Sequence, residues 1–124
     1  MSKARALMFL LATLLFHLYT GDAQKSCDKS DITIKVLKIS TVIQKQQVYI
    51  AVFRTSCSCK MKDVHFSCDG LQNSIVDPDR NFVDVDRSGM CTLQRTLTMN
   101  SPLQIMYSSE TPVNFRVLSV TPAC

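Results

Sequence analysis

The sequence predicts an all-β fold: a single antiparallel β-sandwich of about seven strands stapled by three disulfides. Three observations predict it. Apolar and polar residues alternate over several short runs, Gly and Pro fall between the runs, and six cysteines follow an apolar leader. An even cysteine count in an oxidising compartment makes disulfides the default use of the thiols.

The leader sets that compartment. Lys3 and Arg5 precede a nearly unbroken apolar stretch from Ala6 to Leu18, and Gly21 and Ala23 then occupy positions −3 and −1 of a small-residue cleavage site. This order is that of a secretory signal peptide. The apolar core is about 13 residues, short of the roughly 20 that a spanning helix needs. Residues 1–23 are therefore expected to be cleaved and 24–124 to form one domain, secreted and without membrane insertion. Removal takes Lys3, Arg5 and Asp22, so twelve basic and nine acidic side chains remain. That mild positive balance suits acidic patches on a partner or a polyanionic wall but is too weak and scattered for nucleic acid. A domain of this size buries a limited share of its surface, which is why covalent staples matter.

The strand runs, in order, are Asp31–Ile43, Gln47–Ser56, Lys62–Cys68, Ser74–Asp86, Thr92–Met99, Leu103–Ser109 and Val113–Val120. In the first, Ile32, Ile34 and Val36 alternate with Thr33 and Lys35, but Leu37 and Ile39 fall on the other parity. A β-bulge or break near Val36–Leu37 accounts for the change of phase. Val48–Phe53 is apolar on both faces, as a central strand would be. In the third, Val64, Phe66 and Cys68 alternate with Asp63, His65 and Ser67. Turns are marked by Asp69-Gly70, Asp77-Pro78, Ser88-Gly89, Asn100-Ser-Pro102 and Glu110-Thr-Pro112. No run has a helical period.

Cys27, Cys57, Cys59, Cys68, Cys91 and Cys124 allow 15 pairings. Cys57 and Cys59, two apart on extended chain, do not easily join each other. If consecutive strands run up and down, Cys68 and Cys124 lie at one end and the other four at the opposite end. That layout predicts Cys68–Cys124, with Cys27 and Cys91 joined to Cys57 and Cys59 in either order. Metal is the competing use of the thiols, but only His65 survives as a histidine and no Cys-x-x-Cys pair exists.

Catalytic chemistry finds little support. A nucleophile–histidine centre would have to use His65, which the alternation places on a solvent face. No nucleophile elbow, P-loop or dinucleotide fingerprint occurs, so no cofactor is expected. Asp84 and Asp86 share a strand face, and with Asp77 and Asp79 they could serve as paired carboxylates or oxygen ligands for Ca²⁺. Arg80 and Arg87 flank them as counter-charges, which fits a solvated face. Trp is absent and the mature chain has only Tyr49 and Tyr107 as tyrosines, a poor supply of stacking rings for a polysaccharide face. Tyr49 and Phe53 share one face of the central strand. They are either core covered by the second sheet or an exposed patch for a protein partner.

Taken together, Cys27 followed by Asp31-Ile32-x-Ile34, Tyr49-x-Ala-Val ending in Cys57-x-Cys59, and Val64-x-Phe66-x-Cys68 form a recognisable order. Cys91-x-Leu93, Ile105-Met-Tyr107 and a final strand closing on Cys124 complete it. Over Cys27–Cys124 the chain resembles the tapetum determinant family of small secreted cysteine-rich plant proteins. The resemblance implies a non-enzymatic extracellular ligand in the apoplast, perceived by a leucine-rich-repeat receptor kinase ectodomain in cell-fate or reproductive development. The alternative function is an apoplastic cell-wall or carbohydrate-binding β-sandwich with a defence role.

Overall fold

The computed structural model describes residues 27–124; the expected signal peptide lies outside them. Seven strands follow one another: β1 (Ile32–Ile43), β2 (Gln46–Thr55), β3 (Lys60–Ser67), β4 (Val83–Val85), β5 (Met90–Leu93), β6 (Leu103–Ser109) and β7 (Arg116–Ala123). They form a three-stranded sheet in the order β1-β2-β6 and a four-stranded sheet in the order β4-β5-β3-β7. Every pairing is antiparallel. The fold is the all-β double sheet that the alternation predicts.

The inner faces meet along an aromatic seam. Tyr49, Ala51 and Phe53 of β2 and Ile105 and Tyr107 of β6 point inward, opposite Met61, Val64 and Phe66 of β3 with Val83 and Leu93. Phe53 and Phe66 lie 4.9 Å apart between ring centroids, and Phe115 leans edge-on against Tyr107 at 5.4 Å. β2 is the central strand of its sheet. Its apolar outer face is used as well, since Val48 and Val52 are buried.

β1 and β2 are joined by the two-residue turn Gln44–Lys45, with both residues at positive φ (47° and 71°). The bulge predicted near Val36–Leu37 lies elsewhere. Pairing of β1 with β2 is continuous through Lys38↔Tyr49, and the register shifts between Lys38 and Val42. The Gln47 carboxamide accounts for the position, because it donates to the carbonyls of Ile39 and Thr41 that the irregularity frees from the ladder. Leu37 is off the inner parity because it stands on the outer face, 43 % exposed.

The fourth and fifth runs are shorter than the sequence suggests. Of Ser74–Asp86 only Val83–Val85 is strand. Residues 74–82 instead form a strap along the outer face of the three-stranded sheet, pinned at Ser108 of β6. The Ser108 hydroxyl accepts the Ile75 and Val76 N–H groups at 2.9 and 3.0 Å and donates to Gln46 Oε1 at 2.7 Å. Ser74 Oγ accepts the Ser108 N–H at 2.8 Å. A segment whose backbone donors are satisfied by one side chain does not need a ladder partner. Beyond Leu93 the fifth run leaves β5, and Leu97 makes two 2.9 Å backbone bonds with Met61.

Candidate functional site

All six cysteines are paired, as Cys27–Cys57, Cys59–Cys124 and Cys68–Cys91, with Cα–Cα distances of 5.7, 4.8 and 5.9 Å. Cys27–Cys57 is one of the pairings left open above. Cys68–Cys124 is overturned, and so is the joining of Cys91 to Cys57 or Cys59. The reason lies in the topology. The strap is a crossover: β4 pairs antiparallel to β5, which pairs antiparallel to β3, so β4 runs parallel to β3. Simple up-and-down counting fails from that point. β7 runs antiparallel to β3 with Lys60 opposite Ala123. Cys124 therefore returns to the start of β3, beside Cys59, while Cys68 lies at its far end. The sulfurs of Cys27, Cys57 and Cys59 cluster within 4.8 Å of one another. Each is already spent in a disulfide, so the cluster offers no thiolate to a metal.

Tyr49 and Phe53 are core. They are 7 % and 0 % exposed, Tyr49 stacks on Tyr107 at 5.4 Å between centroids, and Phe53 packs on Phe66. Their assignment as partner-contact residues is corrected: the second sheet covers the face on which they stand.

Of the polar candidates, His65 and Asp84 stand on the outer face of the four-stranded sheet, whereas Asp77 and Asp79 lie on the strap beside the three-stranded sheet. The register aligns Asp84, Thr92, His65 and Ser119 in one row across β4, β5, β3 and β7. His65 Nδ1 lies 2.9 Å from Thr92 Oγ1. Asp84 is exposed, and Asp86 accepts the Ser88 N–H in a turn. Asp79 accepts the Asn81 N–H, and Asp77 pairs with Arg80 at 3.4 Å. Asp77, Asp79 and Asp86 shape loops at the surface, while Asp84, Thr92 and His65 line a shallow hollow with Asp86 and Arg87.

Two apolar surfaces escaped the sequence reading. One is a row of large side chains across the outer face of the three-stranded sheet, Leu37–Ile50–Met106 in cross-strand register. Leu37 and Met106 are 43 % and 47 % exposed. A groove of about 320 Å³ runs beside them, with Val76, Phe82 and Asp77 of the strap as its far wall. The parity break at Leu37 was the signal for this face. The other surface is the open side of the sandwich, where a hollow of similar size lies between Ile32 and Ile34 of β1 and Phe115, Arg116 and Val117 at the start of β7. Nothing in the sequence places β1 near β7, since 72 residues separate the two strands.

Residues 28–124 match the family described as Tapetum determinant 1, C-terminal. The chain belongs to this Tapetum determinant family. The match begins one residue after Cys27 and takes in all seven strands, the strap and five of the six cysteines. No curated protein and no solved structure matches the chain significantly. Family membership and a disulfide-rich double sheet are consistent with a secreted signalling protein. Among the described residues no helix is long and apolar enough to cross a membrane.

Proposed function

We propose that the protein is a secreted extracellular signalling ligand, recognised in the apoplast by the ectodomain of a leucine-rich-repeat receptor kinase in plant cell-fate or reproductive development. The observation that carries this reading is the family match across the whole described domain, residues 28–124. The fold supports it. Three disulfides hold a rigid scaffold, and the outer face of the three-stranded sheet offers an exposed apolar row rimmed by Asp77 and Lys35, the composition of a protein-contact surface. Rigidity of this kind lowers the ordering cost of binding.

Residues 1–23 direct secretion in this proposal, so N-terminal sequencing of the secreted protein is expected to begin at Gln24. The test of function expresses the full chain in a secreting host and applies the oxidised product to an array of immobilised leucine-rich-repeat ectodomains. Saturable binding to one ectodomain, lost on reduction of the disulfides, is the expected result. Retention on wall polysaccharide with no ectodomain bound would replace this reading with the carbohydrate-binding one.

A further inference from the structure

The open side of the sandwich has an unused sheet edge. β1 is an edge strand, hydrogen-bonded to β2 alone among the described strands. The 2.9 Å bond from Ser56 N–H to Asp31 C=O fixes the phase of the ladder, making Ile32↔Thr55 a pair that exchanges no hydrogen bonds. By alternation the backbone N–H and C=O groups of Ile34, Val36 and Lys38 point away from β2, outward along the free edge, as does the C=O of Ile32, whose N–H is bonded to the Lys29 carbonyl. The side chains of Ile34 and Val36 turn inward but are only half buried, and so are Phe115, Val117 and Val120 on the facing part of the second sheet. β7 is likewise the last strand of its sheet.

The charges around this mouth are predominantly basic. Lys29 and Arg116 line the hollow, exposed Lys38 stands further along the inner side of β1, and exposed Lys35 stands on its outer side. The nearby carboxylates are Asp28 and Asp31, and both are engaged in the turn that precedes β1. Asp28 accepts the Ser30 N–H and Asp31 accepts the Asp28 N–H, each at 2.8 Å. The acidic residues Asp77, Asp79, Asp84 and Asp86 lie on the strap and around β4, the strand at the opposite edge of the four-stranded sheet from β7.

We infer that the β1 edge is a strand-addition site for an extended segment of a partner protein, apolar on the side facing the hollow and acidic on the other. Backbone groups of Ile34, Val36 and Lys38, with the Ile32 carbonyl, provide the hydrogen bonds, and alternate side chains of the added strand enter the gap between Ile34 and Phe115. Its outward side chains lie beside Lys35. Lysines on a sheet edge are a common guard against pairing between copies. Here they discriminate: a second copy would set Lys35 and Lys38 against like charges, whereas an acidic strand meets opposite ones. The inference rests on the reading of this protein as a ligand for another protein, and it names where the partner's chain would lie.

The probe is a capped synthetic peptide of four Val-Glu repeats, set against a Val-Lys counterpart and against an oligogalacturonide of similar charge, using the oxidised full secreted product. The Val-Glu peptide is expected to slow hydrogen exchange at the amides of Ile34, Val36 and Lys38 while leaving those of Thr33, Lys35 and Leu37, already bonded to β2, and of Ile32, already bonded to Lys29, unchanged. Reversing both exposed lysines (Lys35→Glu with Lys38→Glu) is expected to weaken binding about tenfold or more, and raised salt is expected to weaken it as well. Equal binding of the Val-Lys peptide would overturn the inference, as would binding without protection of the three edge amides or binding by the oligogalacturonide alone. Receptor binding that survives the double reversal would overturn this edge assignment and leave the ligand reading standing. Edge protection by the peptide, with no ectodomain bound in the array, would do the opposite.

Discussion

Gln44 and Lys45 hold the left-handed backbone region, at φ 47° and 71°, in the two-residue turn between β1 and β2. Such a turn needs positive φ at both positions, which Asn-Gly adopts readily and residues with larger side chains adopt at about 1–2 kcal/mol each. Replacing the pair with Gln44→Asn and Lys45→Gly is expected to stabilise the domain by about 1 kcal/mol, a rise in Tm of roughly 4–8 °C. Thermal melts of the oxidised protein check it. Tyr107 presents a second residue-scale cost. It is fully buried, and its hydroxyl makes no hydrogen bond of good geometry, although the Val113 backbone lies close enough to moderate its titration. Burial raises its pKa from 10.0 to about 12. The folded state thus keeps the phenol neutral where the unfolded chain begins to ionise. This contribution to stability is whole below pH 10 and is lost as pH rises through 12. Tyr107→Phe removes a buried donor without opening a cavity. It is expected to match or slightly exceed the wild type at pH 7 and to flatten the loss of stability measured by denaturant titration between pH 10 and 12.

At the scale of elements, the Ser108 hydroxyl is a main anchor of the strap. Ser108→Ala leaves the Val76 N–H without an acceptor, whereas Ile75 keeps Gln46 Oε1 at 3.2 Å. The expected loss is about 1–3 kcal/mol, with hydrogen exchange accelerated at Val76 more than at Ile75. Uniform acceleration at both would mean that the whole strap detaches. The same strap explains what the sequence could and could not reveal. β6 occupies the expected Leu103–Ser109, and β1 and β2 fall within a residue of their expected limits, because each buries one alternating face against the other sheet. Ser74–Asp86 has similar apolar content, but its Val76 and Phe82 face a groove and its backbone is held by a serine 32 residues away in the chain. Local periodicity does not encode a partner at that distance. The Gln44–Lys45 turn was illegible for a simpler reason: neither residue is a turn former. The apolar outer row was only partly legible: the parity break marks Leu37, but Leu37, Ile50 and Met106 become neighbours only through cross-strand register.

For the whole molecule, the disulfides divide the work between the sheets. Each joins strand ends within one sheet: Cys27–Cys57 closes β1 onto β2, Cys59–Cys124 closes β3 onto β7, and Cys68–Cys91 ties the far end of β3 to β5. No disulfide crosses the sandwich, so packing of Phe53, Phe66 and Phe115 holds the sheets together, aided by the short link Cys57-Ser58-Cys59. The bridges with the longest and shortest spans test which effect dominates. Cys59–Cys124 spans 65 residues and Cys68–Cys91 spans 23, which by loop closure contribute about 4 and about 3 kcal/mol. Burial argues the other way. Cys68 and Cys91 are 0 % and 1 % exposed, whereas Cys124 lies at the surface and Cys59 is half buried. Removing two buried sulfurs costs roughly 2 kcal/mol in lost contacts, more than the difference of about 1 kcal/mol between the loops. Cys68→Ala with Cys91→Ala is therefore expected to destabilise more than Cys59→Ala with Cys124→Ala, measured by equilibrium denaturation. Kinetics separate the causes. Opening the long loop acts through the unfolded chain and should mainly slow folding, while loss of the buried pair should also speed unfolding. The reverse order of stability, with unfolding rates unchanged in both variants, would show that chain entropy and not packing sets the value of these staples.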